Sequence, residues 1–236
     1  MAMRAPSLTE LIDDLVAAAE LFGPDGPCPV RREPGRRRDL LLVTGDNASG
    51  KSFVCKYLNM QATPDRADPP AERRGLEFMH VGMNLRAGGS GVQRSLMFGN
   101  EARNSTGAIS VRTIETGFRT SQGRTTPHVL CLDEPDIGLS EEYQDACGRL
   151  IAEFATAPPA HLSGLVVVTH SRPIARVLNG LDPVRLRVGA DARSTQEWLD
   201  RPRTVSLETL RDLGDAAHRR YRAIETLMDA RRKDTA

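Results

Sequence analysis

Aromatic residues make up only 4% of this 236-residue chain. That is too few for a platform on which the bases of a single strand would stack. No apolar run approaches the ~20 residues of a membrane span, so none is expected. An excess of one charge is also missing. Lys and Arg number 32 and Asp and Glu 31, for a net charge of +1. A molecule-wide electrostatic grip on nucleic acid is thereby excluded, and only local patches remain. The four cysteines (Cys28, Cys55, Cys131, Cys147) contain no C-x-x-C pair, which argues against a structural zinc. Cys131 lies in an apolar run and reads as a small buried hydrophobe. A signal-peptide pattern is missing, because Glu10, Asp13 and Asp14 fall in the first candidate helix. The expectation is a cytoplasmic protein in a reducing compartment, long enough for one large domain over residues 1–236.

What is present begins with Gly45-Asp46-Asn47-Ala48-Ser49-Gly50-Lys51-Ser52. It reads G-x-x-x-x-G-K-S, the phosphate-binding P-loop. Leu40 to Thr44 before it form an apolar run suited to a buried parallel strand. Phe53 to Leu58 after it can continue as a helix, so the motif has the strand–loop–helix context its mechanism requires. Glycines let the backbone N–H groups curl around phosphates, and the helix N-terminus adds partial positive charge. Residues 45–52 are therefore the candidate nucleotide-binding loop. Lys51 would reach the β- and γ-phosphates and Ser52 would ligate Mg²⁺.

Elsewhere the chain reads as alternating helices and strands. Ser7 and Glu10 form a capping box ahead of a helix that should end near Phe22-Gly23-Pro24. Residues 23–38 carry four prolines and Arg31, Arg32, Arg36, Arg37 and Arg38. They read as a solvated basic loop, with contact to nucleotide, nucleic acid or a partner as the alternative. A polar link over 62–75, a strand over Leu76–Gly82 and a loop over 86–95 follow. Val129–Leu132 and Leu165–Val168 read as central parallel strands. Between them Tyr143, Ala146, Cys147, Leu150, Ile151 and Phe154 mark a helix face that Ser140 can cap. That makes a right-handed crossover unit. Val184–Val188 can add a strand. Leu207, Leu210, Leu213, Ala217, Tyr221, Ile224 and Met228 form a late helical stripe, interrupted or bent at Gly214. Packing onto the sheet or a partner surface both fit it. The expected architecture is α/β, a mostly parallel sheet flanked by helices. Its parts are an N-terminal helix and basic loop (1–37), a nucleotide-binding core (38–190) and a C-terminal helical region (191–236).

Leu130-Cys131-Leu132-Asp133-Glu134 is an apolar strand ending in two carboxylates. On a strand beside the P-loop, Asp133 can hold Mg²⁺, directly or through water. Glu134 is then placed to act as general base on the attacking water. The next strand runs into Thr169-His170, where the histidine would face the γ-phosphate. Together these pieces resemble the ABC-type ATPases over residues 38–172. Gly45–Ser52 looks like Walker A, Leu130–Glu134 like Walker B with the catalytic glutamate, Pro135–Ser140 like the D-loop and His170 like the switch histidine. In that family a signature motif reaches the ATP held by the other subunit. No Leu-Ser-Gly-Gly-Gln is present; Asn104-Ser105-Thr106-Gly107, 28 residues before Asp133 from its serine, is similar to the Ser-Thr opening of the mismatch-repair ATPases. Ser105, Thr106 and Gly107 are the candidate residues acting in trans.

The resemblance implies ATP and Mg²⁺ as cofactors and an ATPase working as an ATP-sandwiched homodimer. The middle region is short: 22 residues separate Gly82 from Ser105. That leaves no room for coiled-coil arms and is short for a helical subdomain that docks on a transporter's membrane domains. No aromatic precedes Gly45 where transporter subunits stack adenine, which leaves base selectivity open. Gln93 and Asn84 are alternative Q-loop ligands. A second reading is an ATP-dependent module whose activity needs a protein or DNA partner, as in repair, phage or defence systems. Its hints of nucleic acid are Arg31–Arg38 and the cluster Arg219, Arg220, Arg222. A transporter subunit or a P-loop kinase fits less well.

Overall fold

The computed structural model describes residues 5–63, 76–82 and 105–234, with side chains through Arg231. Asn84, Gln93, Asn104, the loop read over 86–95 and most of the 62–75 link lie outside the described residues. The elements, in chain order, are α1 (Leu8–Ala17), α2 (Ala19–Phe22), β1 (Val30–Glu33), β2 (Arg37–Gly45), α3 (Lys51–Ala62), β3 (Glu77–Gly82), α4 (Thr106–Gln122), β4 (His128–Asp133), α5 (Glu141–Thr156), β5 (Leu162–Thr169), α6 (Arg172–Asn179), β6 (Pro183–Val188), α7 (Thr195–Asp200), α8 (Leu207–Arg211) and α9 (Leu213–Asp234).

The capping box at α1 forms as its residue types dictate. Glu10 N–H donates to Ser7 Oγ (3.3 Å) and Ser7 N–H donates to the Glu10 carboxylate (2.6 Å). The N-terminal helix breaks at Ala18 into α1 and α2 before stopping at Gly23. Ser140 stands at the N-cap of α5, but its hydroxyl donates to Glu142 rather than accepting from the first turn. That corrects the cap expected of it.

The six strands form one sheet in the order β1-β6-β2-β5-β4-β3. All neighbours run parallel except β1, which pairs antiparallel with β6, Val30 facing Val188. Alternate residues of the central strands feed two cores, as the period of two requires. On one face Leu41, Val43, Val166 and Val168 meet α1, α2 and α3. On the other Leu40, Leu42, Leu165 and Val167 meet α4 to α7. Each fully buried Leu or Val in these cores contributes about 1.5–3 kcal/mol.

Two expectations are corrected here. The basic segment is not wholly a solvated loop, since Val30–Glu33 is an edge strand and Arg37–Arg38 open β2. Four of its guanidiniums make surface contacts within the chain. Arg31 bonds the Ala192 carbonyl, Arg32 pairs with Asp13, Arg36 with Asp182 and Arg37 with Asp39. Nor does β4 lie directly beside β2, because β5 sits between them. The carboxylate pair therefore faces the P-loop across an intervening strand.

Candidate functional site

The P-loop links the end of β2 to α3 at the C-terminal edge of the parallel strands, where open α/β sheets bind ligands. Its curl needs two residues at positive φ, Ala48 (56°) and Gly50 (105°). Only glycine suits position 50. A Cβ there would collide with Cys28 Sγ and meet Arg220 Cδ at 3.5 Å. Gly50 is also the N-cap of α3, and no side chain caps the helix. Its first N–H groups are thus left for an anion. Ser52 is exposed in the first turn.

Lys51 is buried, 5% exposed, and folds back on its own loop. Its Nζ donates to the carbonyls of Gly45 (3.1 Å) and Asp46 (2.8 Å). Burial pushes its ammonium down to about 8, opposed by the carboxylates of Glu134, Asp133, Asp46 and Asp136.

Glu134 and His170 come together with Lys51. Lys51 Nζ lies 3.1 Å from His170 Nδ1, and His170 Nε2 lies 2.8 Å from Glu134 Oε1. A neutral imidazole with its proton on Nε2 satisfies both, accepting from the ammonium and donating to the carboxylate. Glu134 stands at φ 54°, a conformation costing about 1 kcal/mol for a residue with a Cβ. The turn that imposes it aims the carboxylate across β5.

Asp133 is buried at the end of β4, 2% exposed. Its Oδ2 meets His80 Nε2 at 3.3 Å, while Oδ1 has no hydrogen-bond partner. A buried carboxylate oxygen without a donor is what a hard cation, or water held by one, would satisfy. The exposed Ser52 hydroxyl, the orphaned Asp133 oxygen and the uncapped N–H groups therefore suit a metal-bound polyphosphate.

Ser105, Thr106 and Gly107 lie elsewhere and do not line the cleft formed by residues 48–53, Glu134 and His170. Ser105 caps α4, accepting from Ala108 N–H at 3.3 Å. Gly107 rests on the 135–140 turn, where an added Cβ would stand 2.6 Å from the Gly138 carbonyl.

Three features were not read from the sequence. His80 lies inside β3, whose partner is β4, which only the register reveals. Asp136 accepts from Thr169 Oγ1 at 2.6 Å, tying the 135–140 turn to the end of β5. Its carboxyl is raised, because burial outweighs that hydrogen bond. Finally, α9 lies over the P-loop. Its residues Ala217, Arg220, Tyr221, Ile224 and Met228 share a cleft of about 470 Å³ with Lys51, Glu134 and His170. The apolar stripe was legible, but not the surface it would face.

No protein-family model matches the chain, and no curated protein does. Among the described residues, no helix is long and apolar enough to cross a membrane. Among solved structures the chain is similar to the crystal structure of Cdc6p from Pyrobaculum aerophilum, at a TM-score of 0.36 and 14% identity, over 75% of this chain and 43% of that one. It therefore spans less than half the length of that protein.

Proposed function

We propose that the chain is an ABC-type ATPase, one domain over residues 1–236, that binds and hydrolyses Mg-ATP in the cytoplasm. The observation that carries the reading is the contact chain Lys51–His170–Glu134 at the mouth of an uncapped P-loop. In this reading residues 45–52 wrap the phosphates with backbone N–H groups. Lys51 leaves the Gly45 and Asp46 carbonyls to donate to phosphate oxygens. Ser52 and Asp133 hold Mg²⁺, which would supply charge neutralisation on the β- and γ-phosphates. Glu134 accepts the proton of the attacking water, and His170 turns its Nε2–H from Glu134 to the γ-phosphate. Ser105, Thr106 and Gly107 of one subunit complete the partner's site, so that hydrolysis opens a homodimer that ATP closes.

Two measurements on Glu134→Gln test this. Steady-state turnover should fall at least about 100-fold while ATP binding persists; unchanged turnover would remove Glu134 from the chemistry. Light scattering with Mg-ATP should show the monomer mass doubling. A mass insensitive to bound ATP overturns the head-to-tail dimer.

A second reading is an ATP-dependent binding module acting through a protein partner. It is favoured by Val205, Leu207 and Leu210, which are 62%, 70% and 60% exposed around α8. Turnover that is slow alone and stimulated by such a partner would support it. DNA as the partner has weaker support, since several arginines of the basic segment are engaged within the fold.

A further inference from the structure

The sequence offers no aromatic ahead of the P-loop for a base, yet the fold supplies one from the opposite end of the chain. Helix α9 meets the first core only at its margin, through Ile224, Leu227 and Met228. None of its described side chains is fully buried. Its half-buried stripe of Leu213, Ala216, Arg220, Ile224, Leu227 and Arg231 leans on the rest of the protein. The helix is fastened near the P-loop and again beside the middle of α3. Near the P-loop, Arg220 Nε donates to the Pro27 carbonyl at 2.8 Å and Arg220 Cδ approaches Gly50. Farther along, Arg231 bonds Tyr57 Oη at 3.3 Å and pairs with Glu20. The two helices thus run side by side, away from the phosphate loop.

A second stripe, Ala217, Tyr221, Ile224 and Met228, turns its apolar edge into the 470 Å³ cleft. Phe53 and Met60 line the same space from α3. Tyr221 is 56% exposed and Met60 45% exposed. Met60 lies nine positions beyond Lys51, about 13 Å of helix, which suits the reach of a nucleoside beyond its phosphates. An apolar slot continuous with a phosphate cradle fits a flat aromatic ring joined to a polyphosphate.

We propose that the cleft between α3 and α9 receives the nucleobase of the bound nucleoside triphosphate, with Tyr221 stacking on the base and Met60, Ile224 and Met228 closing around it. This rests on the P-loop reading above and extends it to the base. Glu225, at the rim of the slot, is an acceptor for an exocyclic amine. That favours adenine over uracil.

The test compares Mg-ATP with Mg-tripolyphosphate by titration calorimetry on the full chain, with circular dichroism as the check on folding. The wild-type protein should bind ATP at least about tenfold more tightly than tripolyphosphate. Stacking gains of the size found for aromatic–base contacts are sufficient for that. Tyr221→Ala and Met60→Glu should each erase most of the preference and leave tripolyphosphate affinity unchanged. Equal affinity for the two ligands, or a preference that survives both substitutions, overturns the base site while leaving the P-loop reading intact. Failure of the wild-type protein to bind either ligand overturns both.

Discussion

Arg187 is buried at 1% exposure in β6, beside Thr44 at the end of β2. Its guanidinium donates to Thr44 Oγ1 at 3.3 Å, pairs with Asp191 at 2.8 Å and lies 5.0 Å over the Trp198 ring. Asp191 also receives Arg193. Removing its charge leaves a buried cation uncompensated. Asp191→Asn should therefore cost about 3 kcal/mol in denaturant unfolding, and a change under 1 kcal/mol would show that the pair is dispensable. Chiefly the Arg193 hydrogen bond holds the Asp191 carboxyl at about 2, below its ordinary 3.8. A depressed carboxyl stabilises the fold fully above the unfolded value. That contribution is lost as pH falls from about 4 through about 2. The acid limb of the stability profile should flatten in the asparagine variant. An identical limb would assign acid unfolding to other groups.

Helices α5 and α6 touch through Gly148, where an added Cβ would stand 3.1 Å from Ile174 Cα and 3.2 Å from Val177 Cβ. Backbone cannot yield as a side-chain tip can, so Gly148→Val should destabilise by about 1–3 kcal/mol; an unchanged melting temperature would mean that the two helices separate freely. At this scale the sequence was most readable where residues are buried on both sides. The runs before Gly45, Glu134 and His170 are continuous apolar strands with the candidate site residues at their ends, and each forms where it was expected. Edge structure was less visible. In β1 only Val30 is apolar, because an edge strand needs backbone partners more than a hydrophobic face. The position of β5 between β2 and β4 is a matter of long-range pairing that no local pattern encodes. The same holds for His80 beside Asp133, and for the face of α9 that overlies the P-loop.

At the scale of the whole molecule, residues 201–206 connect α9 and its short neighbour α8 to the core through an exposed segment without regular structure. Among the described residues, trypsin should cut first at Arg203, because the Arg201–Pro202 bond resists it. Mg-ATP should slow that cut several-fold if a ligand joins α9 to α3, and Lys51→Ala should abolish the protection. Equal cleavage rates with saturating ATP would mean that α9 is indifferent to the ligand. The sheet order has a further consequence. The cradle at the end of β2 and the carboxylates at the end of β4 are two strand spacings apart, about 10 Å. Hydrogen bonds along β5 fix that interval, and no side chain takes part in setting it. The gap works as a gauge cut into the backbone. Substitutions can change what reaches into it, but its width changes only if the sheet itself comes apart.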